Sequence, residues 1–145
     1  MIHKEDSILI NQNIIAAFKV AKDIERLSSF IPEYKQVKII SKENNKMVLE
    51  AKIKIFGFVP ITYISTGLIT ENKSIKYEQI KGPLKGLQTE WKFEEIGNAT
   101  KLTIIHDIDI KIYRIEELIY NLCIKKLANE VLVSMKKELE RGDLK

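Results

Sequence analysis

Apolar and polar positions change their period along the chain, and each period predicts a different element. Residues 2–10 read as a short strand, strongest at Ser7-Ile8-Leu9-Ile10. Asn11, Gln12 and Asn13 follow, and asparagine there suits a helix cap, because its side-chain oxygen accepts from the free N–H groups of a first turn. Ile14, Ile15, Ala17, Phe18 and Ala21 then recur at helical spacing. Asp23 is placed to cap a second short helix, Ile24 to about Ser29, which Pro32 ends because a residue before proline avoids the helical region.

From Glu33 to Ile112 the pattern alternates. Turn signals at Asn44-Asn45, Gly57, Asn72, Gly82-Pro83 and Gly97-Asn98 cut the region into six strand-length pieces. Such punctuation predicts an antiparallel meander of hairpins. Met47, Leu49, Ala51, Ile53 and Ile55 form the apolar face of one piece, and Leu87, Thr89, Trp91 and Phe93 form one face of another. Leu102, Ile104, His106, Ile108, Ile110 and Ile112 line one face of the last. One face is buried and the other wet, as in an antiparallel sheet covered on one side. The period then returns to helical from Ile115 to about Arg141, with Tyr120, Ile124, Leu127, Ala128, Val131, Met135 and Leu139 in one stripe and Gly142 as a stop. Such a helix is ~40 Å long, enough to cross a small domain.

The expected fold is therefore α+β: a curved seven-stranded antiparallel sheet, in the order β-α-α-β6-α, around a long C-terminal helix. The concave face of the sheet is the one large apolar surface available to that helix. A strongly twisted sheet does not lie flat on a single helix, so a cavity is expected where the two diverge.

Composition narrows the setting. The chain has 145 residues, 45% of them hydrophobic and 30% charged, which suits one globular domain, 1–145, with a proper core. Of its 24 basic residues only Arg26, Arg114 and Arg141 are arginines, within a net charge of +4. Arginine is the fork that reads base edges, so DNA is not an expected partner, and a ribosome or RNA contact would be weak. Cys123 is the single cysteine, so no internal disulfide forms and a reducing cytoplasm is expected. No apolar run reaches the eighteen or more residues that span a bilayer, and the first residues, Met1-Ile2-His3-Lys4-Glu5-Asp6, carry no signal core.

Three segments carry a resemblance. Ile24-Glu25-Arg26-Leu27-Ser28-Ser29-Phe30-Ile31-Pro32, Gly82-Pro83-Leu84-Lys85-Gly86-Leu87 and Glu90-Trp91-Lys92-Phe93 resemble a short helix ending in Phe-Leu-Pro, a Gly-Pro-Phe-x-x-Leu turn and a Glu-Trp-Arg-Phe strand. Together they resemble the START-like helix-grip (SRPBCC) superfamily, in its polyketide cyclase/dehydrase and coenzyme Q-binding branch. Leu27-Ser28 stands where Tyr-Pro is usual, and Leu84 where Phe is usual, near the expected pocket mouth. The resemblance implies a helix-grip fold that binds or carries a hydrophobic small molecule such as a quinone, lipid or polyketide. It also implies two alternatives: a cyclase/aromatase-type enzyme, or a regulator of ribosomal subunit association.

The candidate ligand-binding residues are Phe30, Tyr63, Tyr77, Leu84, Thr89, Trp91, Ile104, His106, Leu122 and Cys123. His106 stands out, because it sits on an apolar strand face between Ile104 and Ile108. It reads either as a polar fixture or acid/base group in the cavity, or as a core histidine satisfied by a neighbour. Trp91 and Phe93 suit either ring stacking or plain core. Tyrosine hydroxyls would be hydrogen-bond handles. No metal or cofactor is expected: in His106-Asp107-x-Asp109 the strand points the histidine one way and both aspartates the other, where lysines can pair with them. Cys123 lacks an activating neighbour and reads as a small buried hydrophobe. Phe56-Gly57-Phe58-Val59-Pro60-Ile61 is an apolar hairpin tip that suits either transient membrane contact or a lid over the pocket. Lys35, Lys38, Lys42, Lys46, Lys52 and Lys54 read as a solvated face that blunts strand edges.

Overall fold

The computed structural model describes residues 2–55, 59–108, 121 and 124–141. Strand β1 (Ile2–Ile10) leads to helix α1 (Ile14–Lys22), a 3₁₀ helix (Ile24–Ser29) and six further strands. These are β2 (Tyr34–Glu43), β3 (Lys46–Ile55), β4 (Val59–Thr70), β5 (Ser74–Lys81), β6 (Gln88–Ile96) and β7 (Ala99–Ile108), followed by helix α2 (Lys125–Leu139). The strands form one antiparallel sheet in the order β1-β7-β6-β5-β4-β3-β2. The expected α+β helix-grip order is the one observed. Of the expected last strand, residues 109–112 lie outside the described residues, and so do residues 115–120, 122 and 123 of the expected final helix.

Local chemistry explains the boundaries. Asn13 caps α1, its side-chain oxygen accepting from the Ala16 N–H at 2.9 Å. Asp23 stands at the start of the 3₁₀ helix, but its side chain makes no capping bond there. Its backbone carbonyl instead accepts from the Arg26 N–H at 3.0 Å. The hairpin turns use left-handed backbone at Asn44 (φ 56°), Asn72 (φ 57°) and Gly97 (φ 60°), the residue types that tolerate it best.

The sheet is not evenly curved. Register shifts place an extra residue at Lys35 and at Ile40 in β2, and another at Ile80 in β5. The β1–β7, β6–β7, β5–β6 and β3–β4 ladders run without a shift. A bulge bends its strand and increases local twist, so the bending devices lie in the half of the sheet containing β2, β4 and β5.

Helix α2 lies against β1, β7 and α1. Its last turns seal that end. Leu132, Met135 and Leu139 are buried in the same core as Phe18, Phe93 and Leu102, and Phe18 meets Phe93 edge to face at 5.1 Å. Polar bonds fix the helix end to the β1–α1 corner: Lys136 Nζ donates to the Leu9 carbonyl at 2.7 Å, and the Asn11 N–H donates to Glu140 at 2.7 Å. Glu138, only 7% exposed, sits 3.2 Å from Arg141 and 3.7 Å from Arg26 of the 3₁₀ helix. Among the described residues no helix is long and apolar enough to cross a membrane.

Candidate functional site

Where α2 is anchored on one flank of the sheet and the bulged strands bend away on the other, the interior is open. A cavity of about 280 Å³ lies there. Its walls come from the 3₁₀ helix (Ile24, Leu27), from strands β2 to β7, and from Ile124, Leu127, Ala128 and Val131 at the helix. The wall is mostly aliphatic and aromatic, which is how the sequence alternation disposes these strands: Leu49, Ala51 and Ile53 face inward while Lys52 and Lys54 face out.

The polar groups of the wall have a definite order. Tyr77, Thr89 and His106 are directly paired across β5, β6 and β7 and so form one row on the concave face. All three line the cavity. The hydroxyl of Tyr77 and Nδ1 of His106 are buried with no hydrogen-bond partner. An unpaired buried polar atom costs about 1–3 kcal/mol, so both are poised to accept a partner from a guest. Trp91 stands beside this row, its ring edge-on to Tyr77 at 6.2 Å.

Burial sets the protonation states. His106 is 6% exposed, and desolvation pulls its pKa down to about 4 against the weak opposing pull of Asp6 and Asp107. It is therefore a neutral imidazole near pH 7. Desolvation pushes the Tyr63 hydroxyl up to about 12. It pushes Tyr77 and Tyr34 up as well, with added repulsion from the neighbouring tyrosines. All three phenols stay protonated and can donate.

One buried side chain ties the cavity to its rim. Gln79 lines the cavity, and its Oε1 accepts from the Leu84 N–H at 2.7 Å. Its backbone carbonyl accepts from the Gly86 N–H at 2.8 Å, and its N–H donates to the Leu87 carbonyl at 2.9 Å. The β5–β6 connection is thus held against the cavity, with Pro83, Leu84 and Leu87 in the wall. Gly82 makes the close approach feasible: a Cβ there would lie 2.7 Å from Tyr63 Cβ and 2.8 Å from Gln79 Oε1.

Of the residues named from sequence, Tyr63, Tyr77, Leu84, Thr89, Trp91, Ile104 and His106 line the cavity. Phe30 does not: it packs, partly buried, against the core cluster. Leu122 and Cys123 lie outside the described residues, as do Phe56, Gly57 and Phe58 of the apolar hairpin tip, whereas Ile61 reaches the cavity wall. Phe93 is core. Asp107 pairs with His3 at 2.6 Å, and Asp109 lies outside the described residues. The six lysines of the β2–β3 hairpin are exposed. Among the described residues no cluster of histidine, cysteine and carboxylate side chains could hold a metal.

Sequence reasoning missed Tyr34 and Gln79. Tyr34 and Val37 share the cavity face although three positions apart, because the bulge at Lys35 shifts the phase of β2. Gln79 follows Tyr77 at the two-residue period and was legible in principle, but a glutamine reads as solvent-facing.

A family model described as polyketide cyclase/dehydrase and lipid transport matches residues 15–140. The chain belongs to that family. A search of curated proteins finds no sequence match. Among solved structures, the Zhui aromatase/cyclase from a Streptomyces species superposes with a TM-score of 0.87 at 16% identity, over 97% of this chain and 94% of that one. A START superfamily protein from Mycobacterium smegmatis gives 0.83 at 15% identity, over 95% and 97%. A protein from Thermus thermophilus gives 0.80 at 14%, over 95% and 97%. These likenesses establish a START-like helix-grip fold.

Proposed function

We propose that the protein binds or carries an apolar small molecule in the cavity between the sheet and the C-terminal helix. The observation that carries this reading is an internal apolar space of about 280 Å³ in which two buried polar atoms, the Tyr77 hydroxyl and His106 Nδ1, have no partner. Dry core has no need of such atoms, whereas a ligand site uses a few polar fixtures in an oily wall to orient its guest. Quinones, lipids and polyketide-like rings are the classes to try. Mass spectrometry of what co-purifies with the protein, followed by thermal shift against those classes, tests it. A ligand at a hundred times its Kd adds about 2.7 kcal/mol to stability. No co-purifying molecule and no shift with any class ends the proposal.

A cyclase/aromatase-type reaction is the second reading, favoured by the placement of His106 in the cavity wall beside Thr89. Its weight is reduced by the same burial. With a pKa of about 4, about one imidazole in a thousand is protonated at pH 7, far from the matched value a general acid or base needs. If a substrate is found and His106→Gln leaves its ring closure unchanged, proton transfer by His106 is excluded.

A further inference from the structure

We propose that the protein docks on an anionic lipid bilayer through the outer face of strands β2 to β5, the side of the sheet opposite the cavity. This contact does not depend on what the cavity holds.

Charge is divided unevenly across the sheet. Strands β2 to β5 carry eight lysines against three glutamates, a net charge of +5. Strands β1, β6 and β7 carry three lysines against six carboxylates, a net of −3 with His3 counted as neutral. The strand order β1-β7-β6-β5-β4-β3-β2 keeps the two groups in separate halves. All eight lysines of the positive half are exposed, and none forms an ion pair with another described residue. Protection of a free sheet edge accounts for lysines on β2. It does not account for Lys52, Lys54, Lys76 and Lys81, which lie on β3 and β5, strands with a neighbour on each side. Like charges held together on one face repel each other, and an anionic surface relieves that repulsion. The same surface repels the negative half, which fixes the orientation of docking.

The positive face also carries apolar groups among its charges. Lys46, Leu68 and Lys76 are directly paired across β3, β4 and β5, and Leu68 is 41% exposed. Ile40, the extra residue of the second β2 bulge, is 53% exposed. A row of lysine, leucine and lysine suits a lipid headgroup layer, where ammonium groups meet phosphates and carboxylates while a branched side chain enters the acyl boundary. A nucleic acid is served less well. Strands β2 to β5 contain no arginine, and their aromatic residues, Tyr34, Tyr63 and Tyr77, line the cavity on the other side. The outer face therefore offers neither a guanidinium fork nor a platform on which bases stack.

Co-sedimentation of the full chain with large vesicles tests the proposal. One set would be phosphatidylcholine alone, and the other would contain about one-third phosphatidylserine. Binding is expected to the anionic set only, and raising salt from about 0.1 M to about 1 M should weaken it more than tenfold, as the screening length falls from about 10 Å to about 3 Å. Each lysine near an anionic surface contributes about fivefold in affinity, so Lys46→Gln with Lys76→Gln should weaken binding about 25-fold. Leu68→Asn should weaken it about three- to sevenfold. Lys101→Gln, in the negative half, should leave it unchanged. All four positions lie on the sheet surface, and urea midpoints would confirm that each variant is folded.

No binding to anionic vesicles, equal binding to neutral ones, or binding indifferent to the lysine pair or to Leu68→Asn would each overturn the proposal. Single-stranded or duplex RNA bound more tightly than the anionic vesicles at the same salt would assign the face to nucleic acid instead. A salt-sensitive self-association in sedimentation velocity, abolished by the lysine pair, would assign it to a second copy of the chain. Either result would overturn the lipid assignment and leave the reading of the cavity untouched.

Discussion

Acid should destabilise this protein through one buried imidazole, and His106→Leu should remove that sensitivity. In the unfolded chain His106 titrates near 6.5, and in the folded protein burial holds it at about 4. Above pH 6.5 both states are neutral and the residue contributes no pH dependence. Below 6.5 the unfolded chain takes up a proton that the folded one refuses, so stability falls with falling pH at about 1.4 kcal/mol per unit until the folded pKa is reached. Between pH 7 and pH 4.5 the loss is about 2.5 kcal/mol, a sizeable share of the 5–15 kcal/mol typical of a domain. Urea unfolding followed by Trp91 fluorescence at pH 7, 6, 5 and 4.5 would measure it. The difference between wild type and variant is the decisive quantity, because carboxylates titrating in both proteins cancel. At pH 7 the variant should be at least as stable as wild type, since leucine removes the unpaired Nδ1. A difference that stays flat from pH 7 to 4.5 would show that His106 is not held neutral by burial, and would refute the account of the cavity as a dry, low-polarity space.

His3 should behave in the opposite sense. It lies exposed between Glu5 and Asp107, 2.6 Å from each, and its hydrogen bonds to those carboxylates raise its pKa above 6.5. Its stabilisation is complete below 6.5 and is lost as pH rises through the folded value, so His3→Gln should flatten the alkaline side of the profile. Imidazole NMR titration should show one midpoint above 6.5 and one near 4. Phe18→Ala should cost about 3–5 kcal/mol, because the ring is wholly buried against Phe93. Urea midpoints would show it, and a loss under about 1 kcal/mol would contradict the solid core at that end. Gly82→Ala should cost more than Gly97→Ala. The first puts a Cβ at 2.7 Å from Tyr63 at a φ of +133°, the second meets nothing within 4 Å at a φ of +60°, where strain alone is about 1–2 kcal/mol. Faster hydrogen exchange at the Leu84 amide in Gly82→Ala, but not in Gly97→Ala, would show that the β5–β6 connection had been released.

Local signals along the chain sufficed for the element order, for the antiparallel meander and for the faces of β3, β6 and β7. These depend only on the two-residue and 3.6-residue periods and on turn chemistry at Asn44, Asn72 and Gly97, which neighbours in sequence settle among themselves. The inward face of His106 was legible for the same reason. What tertiary structure decided was everything that depends on how distant strands meet. The bulge at Lys35 rotates Tyr34 onto the cavity face against the run of its own strand, and no local pattern announces a register slip. Gln79 becomes part of the wall because its carbonyl, N–H and side chain all engage residues 84–87, which a sequence shows only as an ordinary polar position. Phe30, a pocket candidate from the segment that carries the family resemblance, packs partly buried against the core and is not in the cavity wall. The cavity itself is a difference between two surfaces: a helix pinned to β1 and β7, and strands that bulges bend away from it. Neither surface carries that difference alone, so only their assembly could set its volume.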